Sequence, residues 1–349
     1  MQNKIYRMTA MILALAMLTL TAACGGGNVP AASSGPAAEN APSDSNQKII
    51  IKFAGVNNAE HATIRAINEK FKPRVEELTN GGVEVQVFDN SQLGGERDLM
   101  EQVQAGLLQM SYISPIFATV DPAINVMDLP FLFEDESHVD EVINGQIGKE
   151  LLKDLPSKGM VPLGYFENGF RVITNSAQPI NGLSDVKGLK IRTPEAPVSV
   201  AIFNALGANV TPMSFGELYS ALQQGVVDGQ ENAYNTVASS RFFEVQKYLS
   251  ETKHMWGCFV IMASAKWWDT LDADTQAAIT TAAAEASIYQ REIFRTETES
   301  SKKLCEDNDI EISYPDREEF KAAVAPVYEN FYKEYPQYKE IVEQIQALR

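Results

Sequence analysis

Apolar residues recur at i, i+4 and i+8 in Val198, Ile202 and Leu206, the spacing of one helix face. Just before them, Lys190 to Thr193 predicts a short strand ending against Pro194, which has no N–H for a ladder bond. Gly207 stands where a left-handed residue closes a helix. Ser214 then opens Ser214-Phe215-Gly216-Glu217, a capping box in which Ser214 and Glu217 satisfy each other's free backbone donors. The helix that follows puts Leu218 and Leu222 on one face and stops at Gly225. Val226 and Val227 begin a further strand, and Asp228 to Asn232 leave its end. Arg192 at one strand end, Phe215 at a helix start and Asn232 at another strand end can therefore converge on one crevice. In open α/β sheets, ligands bind outside the carboxyl ends of strands.

The rest of the chain alternates in the same way. Ile49 to Phe53 predicts a strand, His61 to Leu78 a helix, and Val83 to Phe88 a strand of period two. A helix opens at Gly94-Gly95-Glu96-Arg97 and ends at Gly106, before a buried strand from Leu107 to Ile113. Leu129 to Phe133 is apolar and interrupted by Pro130, a packed loop. Residues 100–108 and 219–227 are alike, each reading helix, Gly cap, apolar strand. One such unit in each half predicts two similar α/β lobes facing each other. Leu163 to Asn175 is extended and crosses from the first lobe to the second, and Trp256 to Met262 crosses back. Asp272 to about Asp307 is Ala-rich and helical, long enough to span both lobes. The division expected is residues 48–168 with 257–300 in lobe I, and 169–256 with 301–349 in lobe II.

Composition places the chain among globular proteins, with 45% hydrophobic and 21% charged residues in 349. Lys4 and Arg7 precede an apolar core from Met8 to Leu20, the pattern of a signal sequence over residues 1–23. Leu20-Thr21-Ala22-Ala23-Cys24 resembles a bacterial lipobox, although Thr21 stands where a leucine is usual. Cys24 would then be lipidated, and residues 24–47, rich in Gly, Ala, Ser and Pro, would be a flexible tether to the outer face of the membrane. Cleavage would remove Lys4 and Arg7 and no acid, taking the formal charge from −17 to −19. That balance argues against nucleic acid as a partner and for a self-repelling, monomeric protein. Cys258 and Cys305 are expected as free thiols. The three histidines, His61, His138 and His254, lack metal-ligand spacing, and no nucleophile elbow or phosphate-binding glycine pattern is present. Neither a cofactor nor an enzymatic activity is expected.

Taken together, Gly188 to Arg192, Leu206-Gly207-Ala208, Thr211-Pro212-Met213, Ala221-Leu222-Gln223 and Val227 to Asn232 resemble the signature of one family. It is that of the solute-binding proteins of TRAP (tripartite ATP-independent periplasmic) transporters, the DctP type, and the likeness runs from about Ile50 to the C-terminus. The resemblance implies a two-lobed fold like that of type II periplasmic binding proteins, with crossing strands, a central ligand cleft and a long helix spanning both lobes. It implies that Arg192 grips a solute carboxylate, with Arg171 as the second arginine, Phe215 packing on the solute and Asn232 supplying an amide. In lobe I it places Asn57, Glu96 and Ser114 at the solute, with Glu60 and His61 as further candidates. Members that bind sialic acid carry an acid where Ser114 stands. A guanidinium matches a carboxylate with two parallel hydrogen bonds, and carboxylate acceptors such as Glu96 suit hydroxyls better than a second carboxylate. The solute expected is a sugar acid such as glucuronate or galacturonate, delivered to integral membrane subunits. Beside this stand a C4-dicarboxylate or sialic-acid receptor of the same family, a lipid-anchored enzyme acting on a sugar acid, and a sensory binding protein.

Overall fold

The computed structural model describes residues 48–349, so the signal sequence, Cys24 and the tether lie outside the described residues. Two sheets organise it. The first has five strands, β1 (Ile49–Ala54), β2 (Val83–Phe88), β3 (Met110–Ile113), β4 (Met160–Phe170) and β10 (Trp256–Ser264), in the order β2-β1-β3-β10-β4. The second has six, β5 (Val172–Asn175), β6 (Lys190–Thr193), β7 (Asn209–Pro212), β8 (Gly229–Asn232), β9 (Tyr248–Ser250) and β11 (Glu311–Ser313), in the order β11-β9-β5-β8-β6-β7.

The two orders correspond. In each sheet the first strand of a lobe pairs in parallel with its two successors (β1 with β2 and β3, β6 with β7 and β8). The next place is filled by an antiparallel strand from the crossing segments, β10 beside β3 and β5 beside β8. The internal likeness therefore marks equivalent places, since residues 100–108 lead into β3 and residues 219–227 into β8. Both strands start later than the apolar runs suggest. Leu107 and Val226 are exposed, and pairing begins at Met110 and Gly229. The first residue past each closing glycine is held instead by helix-closing bonds, Leu107 N to the Gln102 carbonyl and Val226 N to the Ala221 carbonyl, each 2.9 Å. Residues 229–232 are thus the strand itself and not the turn beyond it.

Strand β10 is buried along its whole length, as a central strand covered on both faces must be. Phe259, Ile261 and Ala263 face one core with Ile51, Phe53 and the long helix, whereas Cys258, Val260 and Met262 face the other. The 35-residue helix Ala273–Asp307 packs along β4 and reaches the helix Tyr234–Ser239 of the second lobe. Gln290 bonds the backbone of Glu167 on both sides, at 2.7 and 2.8 Å, and the Phe294 carbonyl accepts from Asn235 at 2.8 Å. Cys258 and Cys305 are buried free thiols. The expected helix from His61 is continuous over residues 62–78, with a wider π turn at Ile67–Phe71 just ahead of Pro73. Proline removes one backbone donor, and the wider turn accommodates that loss. The division of the C-terminus differs from expectation. The helix Arg317–Glu334 packs on lobe II's helix Pro197–Ala205, but the last helix returns to lobe I. There the Ile345 carbonyl meets His138 Nε2 at 2.8 Å, and Arg349 donates to the Phe131 and Leu132 carbonyls at 2.9 Å.

Strands β4 and β5 are separated by Arg171 alone, and the bend that sends the chain across falls at Gly169, with φ +70°. A methyl group there would lie 2.6 Å from Phe294 Cε1 on the long helix. Gly169→Ala combines an unfavourable φ with overpacking and is expected to cost about 1–3 kcal/mol. The check is the shift of the urea unfolding midpoint; an unchanged midpoint contradicts it.

Candidate functional site

Between the two lobes lies a cavity lined by residues of both. At its rim the lobes touch. A methyl group on Gly95 would lie 3.3 Å from Ser214 Cβ, one on Gly216 would meet Ser91 at 3.2 Å, and Arg97 lies 3.5 Å from Glu195. Ser214 begins its helix as expected, but the reciprocal capping box does not form. Its hydroxyl donates to the Glu217 carboxylate at 2.7 Å instead of accepting from the backbone.

Arg192 stands near the end of β6 and is 2% exposed. Its Nε and Nη2 both donate to the Met213 carbonyl, at 2.9 and 2.6 Å. Its guanidinium lies 5.9 Å from the centre of the Phe215 ring, a cation–π contact. Burial lowers its pKa to about 10, which leaves it charged at neutral pH. No carboxylate among the described residues comes within ion-pair distance of it, and its Nη1 makes no hydrogen bond to a described residue.

Arg171, at the crossing, is placed differently. Its Nε and Nη2 hold the two carboxylate oxygens of Glu231, with Nη2 to Oε1 at 2.9 Å, and Nη2 also donates to the Glu231 carbonyl at 2.8 Å. Glu231 is fully buried on β8. Burial pulls its pKa up, but Arg171 and His254 outweigh that pull and hold it down at about 2. Arg171 reaches the cavity as the second arginine, but its charge is not free for a solute carboxylate. It is already countered inside the protein, because a buried charge needs a partner and Glu231 is the acid directly within reach. Only Arg171 Nη1 is left without a hydrogen bond to a described residue.

The other expected residues divide. Asn232, at the end of β8, lines the cavity and donates through Nδ2 to Gln230 at 2.6 Å. Phe215, Glu96, Asn57 and Ser114 also line it. Glu96 accepts the Ser114 backbone N–H through Oε1 at 3.1 Å, leaving Oε2 available. Asn57 Oδ1 accepts from the Tyr112 hydroxyl at 2.9 Å, leaving its amide hydrogens available. Ser114 Oγ is buried with no partner. Glu60 and His61 are not brought to the cavity. Glu60 is exposed at a turn, its backbone N–H held by Asn58. His61 caps its helix through Nδ1 to Thr63 N, and its Nε2 meets Thr236 Oγ1 of lobe II, both at 3.2 Å. Complete burial pushes its pKa down to about 3, so it is a neutral packing residue between the lobes.

Three polar lining residues were missed: Asp128, Asn168 and Ser199. Asn168 belongs to the same Asn168-Gly169-Phe170-Arg171 run that supplies Arg171. Ser199 sits on the buried side of the helix Pro197–Ala205, one turn before Ile202 and Phe203, and its hydroxyl is buried without a partner. Asp128 precedes the apolar loop at Leu129, and an acid flanked by Met127 and Leu129 was the available signal. Among the described residues no cluster of His, Cys, Asp and Glu could hold a metal ion, and no helix is long and apolar enough to cross a membrane.

Residues 53–335 match the family described as "Bacterial extracellular solute-binding protein, family 7" (DctP). The chain is similar to the 2,3-diketo-L-gulonate-binding periplasmic protein YiaO of Escherichia coli, 34% identical over 80% of this chain and 87% of that protein. It is similar to the sugar acid binding protein DctPAm of Advenella mimigardefordensis, solved in complex with galactonate. There the TM-score is 0.83 and identity 37%, over 86% of this chain and 98% of that one. A TRAP periplasmic solute binding protein of Xanthobacter autotrophicus, solved with bound β-D-galacturonate, gives a TM-score of 0.82 and 34% identity, over 86% and 100%.

The Arg171–Glu231 pair carries a consequence for stability. A carboxylate whose pKa is depressed on folding stabilises the native state above its unfolded value, and that contribution is lost as pH falls through the folded value. For Glu231 the window runs from about 4.5 down to about 2. Glu231→Gln leaves Arg171 buried without its counter-charge and is expected to cost about 3–5 kcal/mol at neutral pH. It is also expected to flatten the acid limb in that window, measured as urea midpoints against pH. A variant that keeps both the midpoint and the acid limb contradicts this.

Proposed function

Because the chain belongs to bacterial extracellular solute-binding protein family 7, we propose that it is the extracytoplasmic receptor of a TRAP transporter for a sugar acid. It takes the acid between its lobes and passes it to integral membrane subunits. The observation that carries this reading is Arg192, a buried guanidinium set against a neutral carbonyl and an aromatic ring with no acid in contact. Burying an uncompensated charge is unfavourable. A ligand carboxylate in the cavity supplies the missing counter-charge, and Arg192 Nη1 is the donor left to meet it. Asn232 and Arg171 Nη1 stand beside it as further donors.

The remaining wall favours hydroxyls. Glu96 Oε2, the Asn57 amide, and the unpartnered hydroxyls of Ser114 and Ser199 offer acceptors and donors suited to a polyol chain or a sugar ring. A second ligand carboxylate would face Glu96 and be repelled. Two of the similar proteins were solved with a sugar acid bound, and a third is named for one, which supports the same class. Lining residues come from both lobes, so the ligand binds the closed arrangement better and shifts the population towards it. No bond of the ligand is changed in this reading, and it is expected to be recovered unaltered after prolonged incubation.

Titration with galacturonate, glucuronate, galactonate and succinate, followed by melting temperature and calorimetry, tests the reading. A sugar acid at a hundred times its Kd is expected to stabilise the protein by about 2.7 kcal/mol. Arg192→Ala is expected to weaken that binding thirtyfold or more, from the loss of about 2–5 kcal/mol at a buried charged contact. A response to succinate with none to the sugar acids would defeat the choice of ligand, and an unchanged Kd in Arg192→Ala would place the carboxylate elsewhere.

Membrane attachment through a lipid on Cys24 belongs to the same proposal. Expressed in a bacterium, the wild type is expected in the membrane fraction with a diacylglyceryl adduct at Cys24, and Cys24→Ser in the soluble fraction. A soluble wild type with an unmodified Cys24 overturns the anchor and leaves the receptor reading intact.

A further inference from the structure

Asp128 is the acid of the cavity that the carboxylate-binding argument leaves unused. It follows a short turn, its N–H bonded to the Asn125 carbonyl at 3.2 Å, and is only 2% exposed. Met127 and Leu129 on either side are fully buried and fix the backbone there. Its carboxyl oxygens make neither a hydrogen bond nor an ion pair with a described residue. They are not sealed into the core, because Asp128 lines the cavity together with Asn168, Arg171 and Cys258. A buried carboxyl with no protein partner and an open side towards a ligand space is a polar group whose partner comes from the ligand.

We propose that Asp128 is a specificity-determining residue of this cavity, which hydrogen-bonds a hydroxyl of the bound sugar acid. The proposal rests on the sugar-acid reading and deepens it. The charged and titratable groups around Asp128 decide what kind of partner it is. Burial raises its pKa most. Arg171 pulls the other way, but Glu231 and Glu96 push it up again, and the result is about 8. The charge of Arg171 is countered by Glu231, and its pull on Asp128 is outweighed by burial. The neighbouring Cys258 thiol is itself pushed well up by burial and carries no charge at neutral pH. At neutral pH Asp128 therefore presents a protonated carboxyl, one O–H donor with a carbonyl acceptor. That pair matches a hydroxyl, which both donates and accepts. A methylene in the same place would leave the carboxyl without a partner, and this is the source of discrimination between a sugar acid and a deoxygenated one.

A double-mutant cycle between protein and ligand tests it. Wild type, Asp128→Ala and Asp128→Asn are titrated by calorimetry at pH 7 with galactonate and its singly deoxygenated analogues, and at pH 7 and 9 with galactonate. One analogue is expected to bind the wild type about five- to tenfold more weakly than galactonate, the size of one hydrogen bond. Asp128→Ala is expected to bind galactonate weakly by the same factor and not to distinguish that analogue from it. The ligand adds negative charge and displaces water, both of which favour the protonated acid. Wild-type affinity is therefore expected to fall between pH 7 and 9, and that of Asp128→Asn to fall less. Asp128→Asn keeps the shape and neutrality of the acid, so it stands in if the alanine variant does not fold. If every deoxy analogue costs the variants what it costs the wild type, Asp128 touches no hydroxyl and the proposal is overturned. If the wild type binds no sugar acid at all, the sugar-acid reading falls and this inference with it.

Discussion

A buried, uncompensated positive charge organises the interior. Arg192 is as buried as a core leucine, yet it faces a carbonyl and an aromatic ring instead of an acid. Every element around it serves to keep it there. Strand β6 pairs on both edges and fixes its backbone. The Met213 carbonyl holds two of its nitrogens, so its remaining terminal nitrogen is aimed and not mobile. The one carboxylate at the centre of the second sheet, Glu231, is withheld from it by Arg171 and His254. Electrostatic preorganisation of this kind reserves a binding free energy for an anion, because the cost of burying the charge is met during folding.

The lobes are built so that filling the cavity concerns both. Each sheet receives its antiparallel neighbour from a crossing segment, and Arg171 is the lone residue between β4 and β5. The arginine that neutralises Glu231 is thus also the residue at which the chain changes lobe. The long helix lies behind, bonded to β4 through Gln290 and to the second lobe through Asn235. His61, buried and neutral, adds a contact to Thr236 across the same boundary. The two lobes share continuous chain and packed side chains on one side and meet through glycines, serines and the Arg97–Glu195 pair at the cavity rim. Small residues at that rim allow close approach with few contacts to break, which suits a boundary that opens and closes.

Local pattern determined a good deal of this by itself. Helical spacing in Val198, Ile202 and Leu206, the closing glycine at 207 and the apolar run of β10 set the elements around the site before any tertiary contact is known. The repeated helix–glycine–strand unit identified two lobes of one design. Periodicity and capping act within a few residues, so sequence expresses them directly. Strand and helix ends also marked Arg192, Phe215 and Asn232, and the family resemblance Glu96, Asn57 and Ser114; all six line one cavity.

What folding alone decided concerns pairs distant in the chain. That Glu231 closes on Arg171, 60 positions away, depends on two strands lying side by side. That Ser214 bonds Glu217's side chain and not the backbone was a choice between geometries the same four residues permit. Glu60 and His61, the further candidates of lobe I, stand at the start of a helix and do not line the cavity. Asp128 is the converse. Its neighbours are core residues, and only the placing of one lobe against the other shows that its carboxyl opens on the cavity instead of the interior. Residue type and spacing say which groups are available; which of them neutralise one another is settled by distance in space, because charge interactions fall off over ångströms and take no account of chain order.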